Sequence, residues 1–251
     1  MAVFKVWRGD KSGGEEKTYD VPTLEGQVVL DDMHWIQAHA DTDLAVRWNC
    51  KAAKCGSCSA EINGKPALMC KTRVDQFGDD DIHVHPMKTF PVIKDLVTDV
   101  GWNYRVNKQI RPFTYAQDEA LPFTMMQEDI DRVIEFRKCI ECFLCQDVCH
   151  VLREHDEGKD QYFGPRFMIR MAGLEMHPKD IGDRTEQLRH DAGVAMCNIT
   201  KCCTEVCPEH IHITDNGIIP LKERVADRYF DPIRAVFRAL NPKKERVPAT
   251  D

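Results

Sequence analysis

CIECFLCQDVCH (residues 139–150) and CNITKCCTEVCP (residues 197–208) are one pattern written twice. Superposed, Cys197, Cys203 and Cys207 fall on Cys139, Cys145 and Cys149, and Thr200 falls on Cys142. A run spaced C-x2-C-x2-C-x3-C places three thiolates on one iron–sulfur cube and lends its fourth to a neighbouring cube. Applied here, the exchange predicts that Cys139, Cys142, Cys145 and Cys207 form a full [4Fe–4S] set. The reciprocal site receives Cys149, Cys197 and Cys203, with Thr200 where a fourth thiolate would stand. A hydroxyl is a poor iron ligand beside thiolates, so this third site is expected to hold [3Fe–4S]. Cys202 is left over, and two readings stay open for it. It is an inert buried thiol pointing away from the site, or it replaces the missing ligand and restores [4Fe–4S]. Clusters that staple two distant runs make folding of this part dependent on iron.

A third group lies upstream: Cys50, Cys55 and Cys58 in C-x4-C-x2-C, then Cys70. That is the plant-type spacing for a [2Fe–2S] cluster, in which one looped segment wraps a flat inorganic core. Gly56 lets the backbone pass close and turn its amides toward sulfur. Lys51 and Lys54 are expected to add positive charge beside an anionic group. The non-redox alternative is a structural zinc scaffold, but zinc needs only four sulfurs about one ion, usually as two separated pairs. A disulfide framework is disfavoured in a reducing cytosol.

The rest of the chain sets limits. A length of 251 residues with 43% hydrophobic content favours two globular domains, and a net charge of −7 argues against nucleic acid as a partner. No apolar run approaches the ~20 residues of a membrane span, and MAVFKVWRGD lacks the apolar core of a signal peptide. A soluble, cytoplasmic-side protein is expected. Residues 1–104 read as a small mixed β domain. VFKVWR and TYDV should pair through a loose turn at Gly13–Gly14, and DDMHWIQA should form a helix. Asn63-Gly64 suits a type I′ turn joining strands 59–62 and 66–69, and IHVH (82–85) reads as a last strand. Residues 105–251 read as helical, after a linker spanning 103–124 with Pro112 and Pro122. Thr124 and Gln127 suggest a capping box for a helix with Ile130, Val133 and Ile134 on one face. Pro165 should open a helix to about Met176. Asp231-Pro232 should open another, with Ile233, Val236, Phe237 and Leu240 on one apolar face. The tail from Pro242 reads as polar and frayed.

RWNCKAAKCGSCSAEINGKPALMC (47–70), PMKTFPVIKDLVTDV (86–100), the two cysteine runs and YFGPRFMIR (162–170) together resemble the iron–sulfur subunit of succinate dehydrogenase, a family shared with fumarate reductase. The likeness covers nearly the whole chain and is strongest to the actinobacterial-type branch. It implies an α+β architecture: an N-terminal β-grasp [2Fe–2S] ferredoxin domain, then a helical domain similar to bacterial ferredoxins. It also implies a role as electron-transfer subunit of a succinate:quinone oxidoreductase. Electrons would pass from the FAD of a flavoprotein subunit through [2Fe–2S], [4Fe–4S] and [3Fe–4S] to quinone in a membrane-anchor subunit. The complex would sit peripherally on the cytoplasmic face of the membrane. Fumarate reductase is the nearest alternative, followed by service to another flavin dehydrogenase. The chain shows no G-x-G-x-x-G fingerprint for FAD and no constellation for succinate chemistry, so no catalytic residue is assigned.

The departures from the family pattern are local. Ala53 stands where the first loop usually has glycine, suggesting a slightly different loop. His150 replaces a proline after Cys149, and is either a proton relay or potential-tuning group or a surface histidine at the anchor. Glu154 and Asn198 replace the tryptophan and histidine that line the quinone pocket in familiar members, which implies an anchor receiving electrons on a haem or cluster of its own. His83 and His85, one residue apart on a strand, share a face; a metal site and plain solvation are both open, and solvation is the reading taken. For the apolar face of the last helix, contact with the anchor or lipid headgroups and core packing are both open, and core packing is the reading taken.

Overall fold

The computed structural model of the chain describes residues 1–116, 122–155, 157–240 and 247–248. Strands β1 (Ala2–Asp10) and β2 (Gly13–Val21) form an antiparallel hairpin along their full length, from Ala2↔Val21 to Asp10↔Gly13. The turn is tight rather than loose: Asp10 Oδ1 accepts the Ser12 N–H at 2.8 Å, and both glycines belong to the strand. Alternation in VFKVWR places Phe4 and Val6 in the core, where both are fully buried. Helix α1 (Val29–His39) covers that face with Val29, Leu30, Met33 and Ile36. It starts two residues before DDMHWIQA because the Asp31 carboxylate accepts the Val28 N–H, the backbone half of a capping box.

Strands β3 (Ser59–Ile62) and β4 (Lys65–Leu68) pair through Asn63 (φ 46°) and Gly64 (φ 77°). Both angles are positive, as a type I′ turn demands, and the return strand begins one residue earlier than expected. Strand β5 (Ile82–His85) runs parallel to β1, with Phe4↔Ile82 and Val6↔Val84. The order β4-β3-β5-β1, with β2 on the far side of β1, is the β-grasp arrangement. Short strands β6 (Val92–Lys94) and β7 (Val97–Thr98) extend the sheet beside β1.

The expected linker is partly a helix. In α2 (Gly101–Gln109), Val106 is buried, and Trp102, Val106 and Ile110 recur at helical spacing and pack into the helical core. Met87 and Phe90 join the same core, so the segment after β5 belongs by packing to the second half. Part of the linker, 117–121, lies outside the described residues.

Helix α3 (Gln127–Ile134) tightens into a 3-10 turn, Glu135–Lys138, that delivers Cys139. Thr124 does not cap it: the N-cap is Met126, and the Gln127 amide donates to Asp131 Oδ1 at 2.6 Å instead. On its expected stripe Val133 is buried, but Ile134 is 48% exposed. Then follow α4 (Leu144–Asp147), α5 (His150–Arg153), α6 (Gly158–Gln161) and α7 (Pro165–Glu175), the last opening on its proline as expected. Strand β8 (Gly182–Asp183), α8 (Thr185–His190) and α9 (Cys202–Glu205) precede a π-helical turn, Ile213–Ile218, that runs into α10 (Ile219–Tyr229). Helix α11 (Pro232–Leu240) is capped as expected, Asp231 Oδ1 accepting the N–H groups of Ile233 and Arg234 at 2.9 and 3.1 Å. Its stripe is not core, however: Ile233, Val236, Phe237 and Leu240 are 59–71% exposed. Most of the tail lies outside the described residues; Val247–Pro248 forms strand β9, parallel to β8.

The halves meet over buried charge. Glu61 on β3 is 1% exposed and pairs with Arg153 of α5 at 2.9 Å and with Lys88 at 3.4 Å. Asp147 accepts the Thr89 N–H at 3.0 Å. Burial, with the Glu61 carboxylate nearby, pushes Asp147 up to about 7.

Candidate iron–sulfur centres

The two cysteine runs share backbone as well as spacing. Glu141 (φ 56°) and Phe143 (φ 62°) are left-handed, and so are Ile199 and Lys201 (both φ 65°), their counterparts in the second run. Each run then enters a one-turn helix, α4 or α9. Non-glycine residues in this region cost free energy, and a repeated pair of them marks a loop held by what it surrounds.

The sulfurs of the two downstream runs line two cavities. One cavity is lined by Cys139, Cys142, Cys145 and Cys207. A second is lined by Cys149, Cys197 and Cys203, with Thr200, Cys202 and His150. All twelve cysteines are free thiols, so there is no disulfide framework. Burial pushes Cys142 up to about 12 and Cys149 up to about 11, and neighbouring sulfurs add to both shifts. Cys145 is likewise driven well above the usual thiol range by burial and by its approach to Cys142, Cys139, Cys203 and Cys207. Thiols converging in two cavities fit a cationic inorganic core that takes them as thiolates.

Other groups aim at these sulfurs. Beside the first cavity, buried Arg166 ion-pairs with Glu141 and opposes the effect of burial on Cys139. The Ile211 N–H donates to Cys207 Sγ at 3.5 Å. In the second cavity, Cys203 Sγ lies 3.4 Å from Thr214 Oγ1. Tyr162 is 1% exposed, and its hydroxyl lies beside Cys197, held neutral by burial and the nearby sulfurs. Arg166 and Tyr162 both fall within YFGPRFMIR, a stretch in which sequence reasoning assigned neither a role. Thr214 carried no signal at all.

One reading of Cys202 needs correction: it is neither buried nor turned away but lines the second cavity, its Sγ 3.5 Å from Thr200 Oγ1. His150 is half-buried and lines the same cavity, and its Nε2 is buried without a hydrogen-bond partner. Asn198 lines that cavity too, whereas Glu154 is 64% exposed.

Around the upstream group, the N–H groups of Ala52 and Lys54 donate to Cys50 Sγ, each at 3.3 Å, and the Cys70 N–H donates to Cys58 Sγ at 3.4 Å. Burial and the neighbouring Cys70 push Cys58 up to about 12. Against burial, hydrogen bonds from Ser57 and the Cys50 region bring Cys55 down to about 7. These donors suit a sulfur-ligated cluster. Lys51 stacks over Trp48 and Lys54 reaches Glu209 at 3.3 Å, so the two lysines tether the loop to its neighbours. Ala53 adopts a left-handed angle, φ 54°, the conformation that glycine takes without strain. Gly56 (φ +68°) is needed for a contact beyond its own loop: an added Cβ would lie 2.5 Å from Cys142 Cα. The first loop therefore abuts the first of the two downstream cavities, which abuts the second.

Residues 3–103 match the model of a 2Fe-2S iron-sulfur cluster binding domain, and residues 135–211 that of a 4Fe-4S dicluster domain. Among solved structures, a chain of the Mycobacterium smegmatis Sdh1 complex in the apo form is 59% identical, with a TM-score of 0.90, covering 92% of this chain and 98% of that one. The fumarate reductase iron-sulfur subunit of Escherichia coli O6:H1 is 30% identical over 198 residues, 77% of this chain and 79% of that protein. One subunit of the fumarate reductase (CoM/CoB) of Methanothermobacter marburgensis is 30% identical over 240 residues, 94% of this chain, and there the chain spans only 46% of the relative's length. No helix among the described residues is long and apolar enough to cross a membrane. With its domains in this order and its likeness running nearly end to end, the chain belongs to the iron–sulfur subunits of the succinate dehydrogenase and fumarate reductase family.

Proposed function

We propose that the chain is the electron-transfer subunit of a succinate:quinone oxidoreductase, working between an FAD-carrying flavoprotein and a membrane-anchor subunit that handles quinone. The observation that carries this reading is the exchange of cysteines: Cys207 shares a cavity with Cys139, Cys142 and Cys145, while Cys149 shares one with Cys197 and Cys203. Those sets would hold [4Fe–4S] and [3Fe–4S] respectively, and Cys50, Cys55, Cys58 and Cys70 would hold [2Fe–2S]. Bound clusters of these types supply one-electron carriers whose potentials respond to charge, hydrogen bonds and exposure. The chain's own residues place the sulfurs, donate N–H groups to them and exclude water. Thr200 leaves the third set one thiolate short, which favours [3Fe–4S]; the position of Cys202 beside Thr200 supports the [4Fe–4S] alternative. The exposed face of α11, with Ile233, Val236, Phe237 and Leu240, suits contact with the anchor at the cytoplasmic face of the membrane.

Likeness at 59% identity to a chain of the Sdh1 complex favours succinate oxidation over fumarate reduction. The test is stepwise reductive titration of the purified complex, followed by electron paramagnetic resonance with iron and sulfide analysis. Three separable centres, one of them paramagnetic when oxidised, are expected. A colourless protein with zinc in the cysteine sites would end the redox reading. A copurifying flavoprotein without succinate or fumarate activity would assign the chain to another dehydrogenase.

A further inference from the structure

The outer face of the β-grasp sheet carries a cluster that the iron–sulfur sites do not use. Strand pairing sets Glu16 opposite Trp7 and His83 opposite Lys5. Phe4, Val6 and Val84 point the other way, into the core with α1. Glu16, His83 and His85 therefore emerge on one side, the two histidines by strict alternation along β5. His83 Nδ1 and His85 Nε2 lie 2.7 and 2.6 Å from the same oxygen, Glu16 Oε1. The three donor atoms all lie within 4.8 Å of one another. Their side chains are 38%, 31% and 33% exposed in the order His83, His85, Glu16, open enough for an ion to enter and keep water.

We propose that Glu16, His83 and His85 form a binding site for a divalent transition-metal ion of the zinc or nickel class. Two imidazole nitrogens and one carboxylate suit such ions, whereas calcium and magnesium take sets of oxygen ligands. Three protein ligands with an open position are a normal zinc arrangement, at about 2.0–2.2 Å per bond. That requires donors roughly 3–3.5 Å apart, so the present contacts need only a small outward turn of the rings. The neighbouring cation is partly offset: Lys5 is ion-paired with Asp81 Oδ2 at 2.7 Å. The strand spacing fixes both imidazoles before an ion arrives, which limits the ordering cost. The site also adjoins the seam between the halves, since His85 pairs across the sheet with Glu61, the partner of Arg153.

The test is equilibrium dialysis of the cluster-loaded protein against zinc chloride, with bound zinc measured by atomic emission and cluster absorbance followed to confirm folding. The expected result is one zinc per chain at micromolar free zinc. His83→Ala and His85→Ala should each weaken binding by at least about tenfold, since even outer-shell changes cost roughly 10- to 100-fold. Glu16→Gln should weaken it in the same direction. Equal zinc binding by the wild type and the His83→Ala/His85→Ala double variant would overturn the proposal, as would wild-type binding at millimolar zinc only.

Discussion

The Ser59 hydroxyl donates a hydrogen bond to the carbonyl oxygen of Cys142 at 2.9 Å, across 83 residues of sequence. The same hydroxyl lies 2.9 Å from the carbonyl oxygen of Gly56, so one buried oxygen ties the first cysteine loop to the first downstream run. Gly56 lies at that seam, against the backbone of Cys142.

Gly56→Ala should open it. The new methyl would meet backbone, 2.5 Å from Cys142 Cα, in a left-handed conformation. A loss of at least about 2 kcal/mol is expected, or roughly 4–8 °C in the thermal midpoint of the loaded protein. An unchanged midpoint would mean that the loop does not press on the second run.

Ala53→Gly should have the opposite sign. Alanine at φ 54° carries a left-handed penalty of roughly 1–2 kcal/mol, while glycine adds about 0.5–1 kcal/mol of chain entropy to the unfolded state. A net gain of about 0.5–1 kcal/mol is expected, read as slower thermal bleaching of the first centre. Faster bleaching would contradict the strain argument.

Thr200→Cys should admit a fourth iron to the third site, abolishing its oxidised-state paramagnetic signal and lowering its potential. Cys202→Ser separates the alternatives. The signal persists unchanged if three thiolates hold the cluster, and first appears in that variant if Cys202 is the native fourth ligand.

Tyr162→Phe keeps the buried ring and removes the hydroxyl beside Cys197. The Tyr162 hydroxyl is buried without a hydrogen-bond partner and lines the cavity with Cys197, free to donate to a cluster sulfur. A donor to sulfur stabilises the more negative, reduced state. The midpoint potential of the third centre should therefore fall, with the other two unmoved. An equal potential in the variant would show that the hydroxyl does not act on the sulfur.

Asp32 gives a pH dependence. It is buried, with Oδ1 accepting from Gln27 at 2.7 Å and Oδ2 unpartnered, and burial followed by the neighbouring Asp31 pushes it up to about 7. The folded state thus holds a proton that the unfolded state releases near pH ~4. Its stabilising contribution is complete below that value and is lost as pH rises toward 7. Asp32→Asn should flatten thermal stability between pH ~4 and ~7 and raise it above pH ~7. An unaltered pH profile would show that Asp32 ionises freely.

The local pattern was legible where periodicity and spacing are self-contained. Alternation in VFKVWR, Asn63-Gly64 with both φ angles positive, IHVH and the proline start of α7 were all readable from neighbouring residues. Helix starts were less so: Thr124 looked like a cap, but the helix opens after Met126, because a capping pattern does not guarantee that the side chain turns back. The linker was misread at its start, because Val106 and Ile110 are apolar for a core supplied mostly by residues far downstream. The stripe of α11 was misread the other way: periodicity reports an apolar face but not what covers it.

The sequence by itself determined the three cysteine groups and their spacings, because a cluster constrains ligand spacing more tightly than almost any other chemistry. Only the tertiary structure decided what surrounds them: Tyr162, Thr214 and Arg166 around the downstream cavities, His150 turned inward, and Glu16 beside His83 and His85. These neighbours come from strands and helices remote in the chain. Their approach is set by how a sheet face and helices fill a common core, and no local spacing records that.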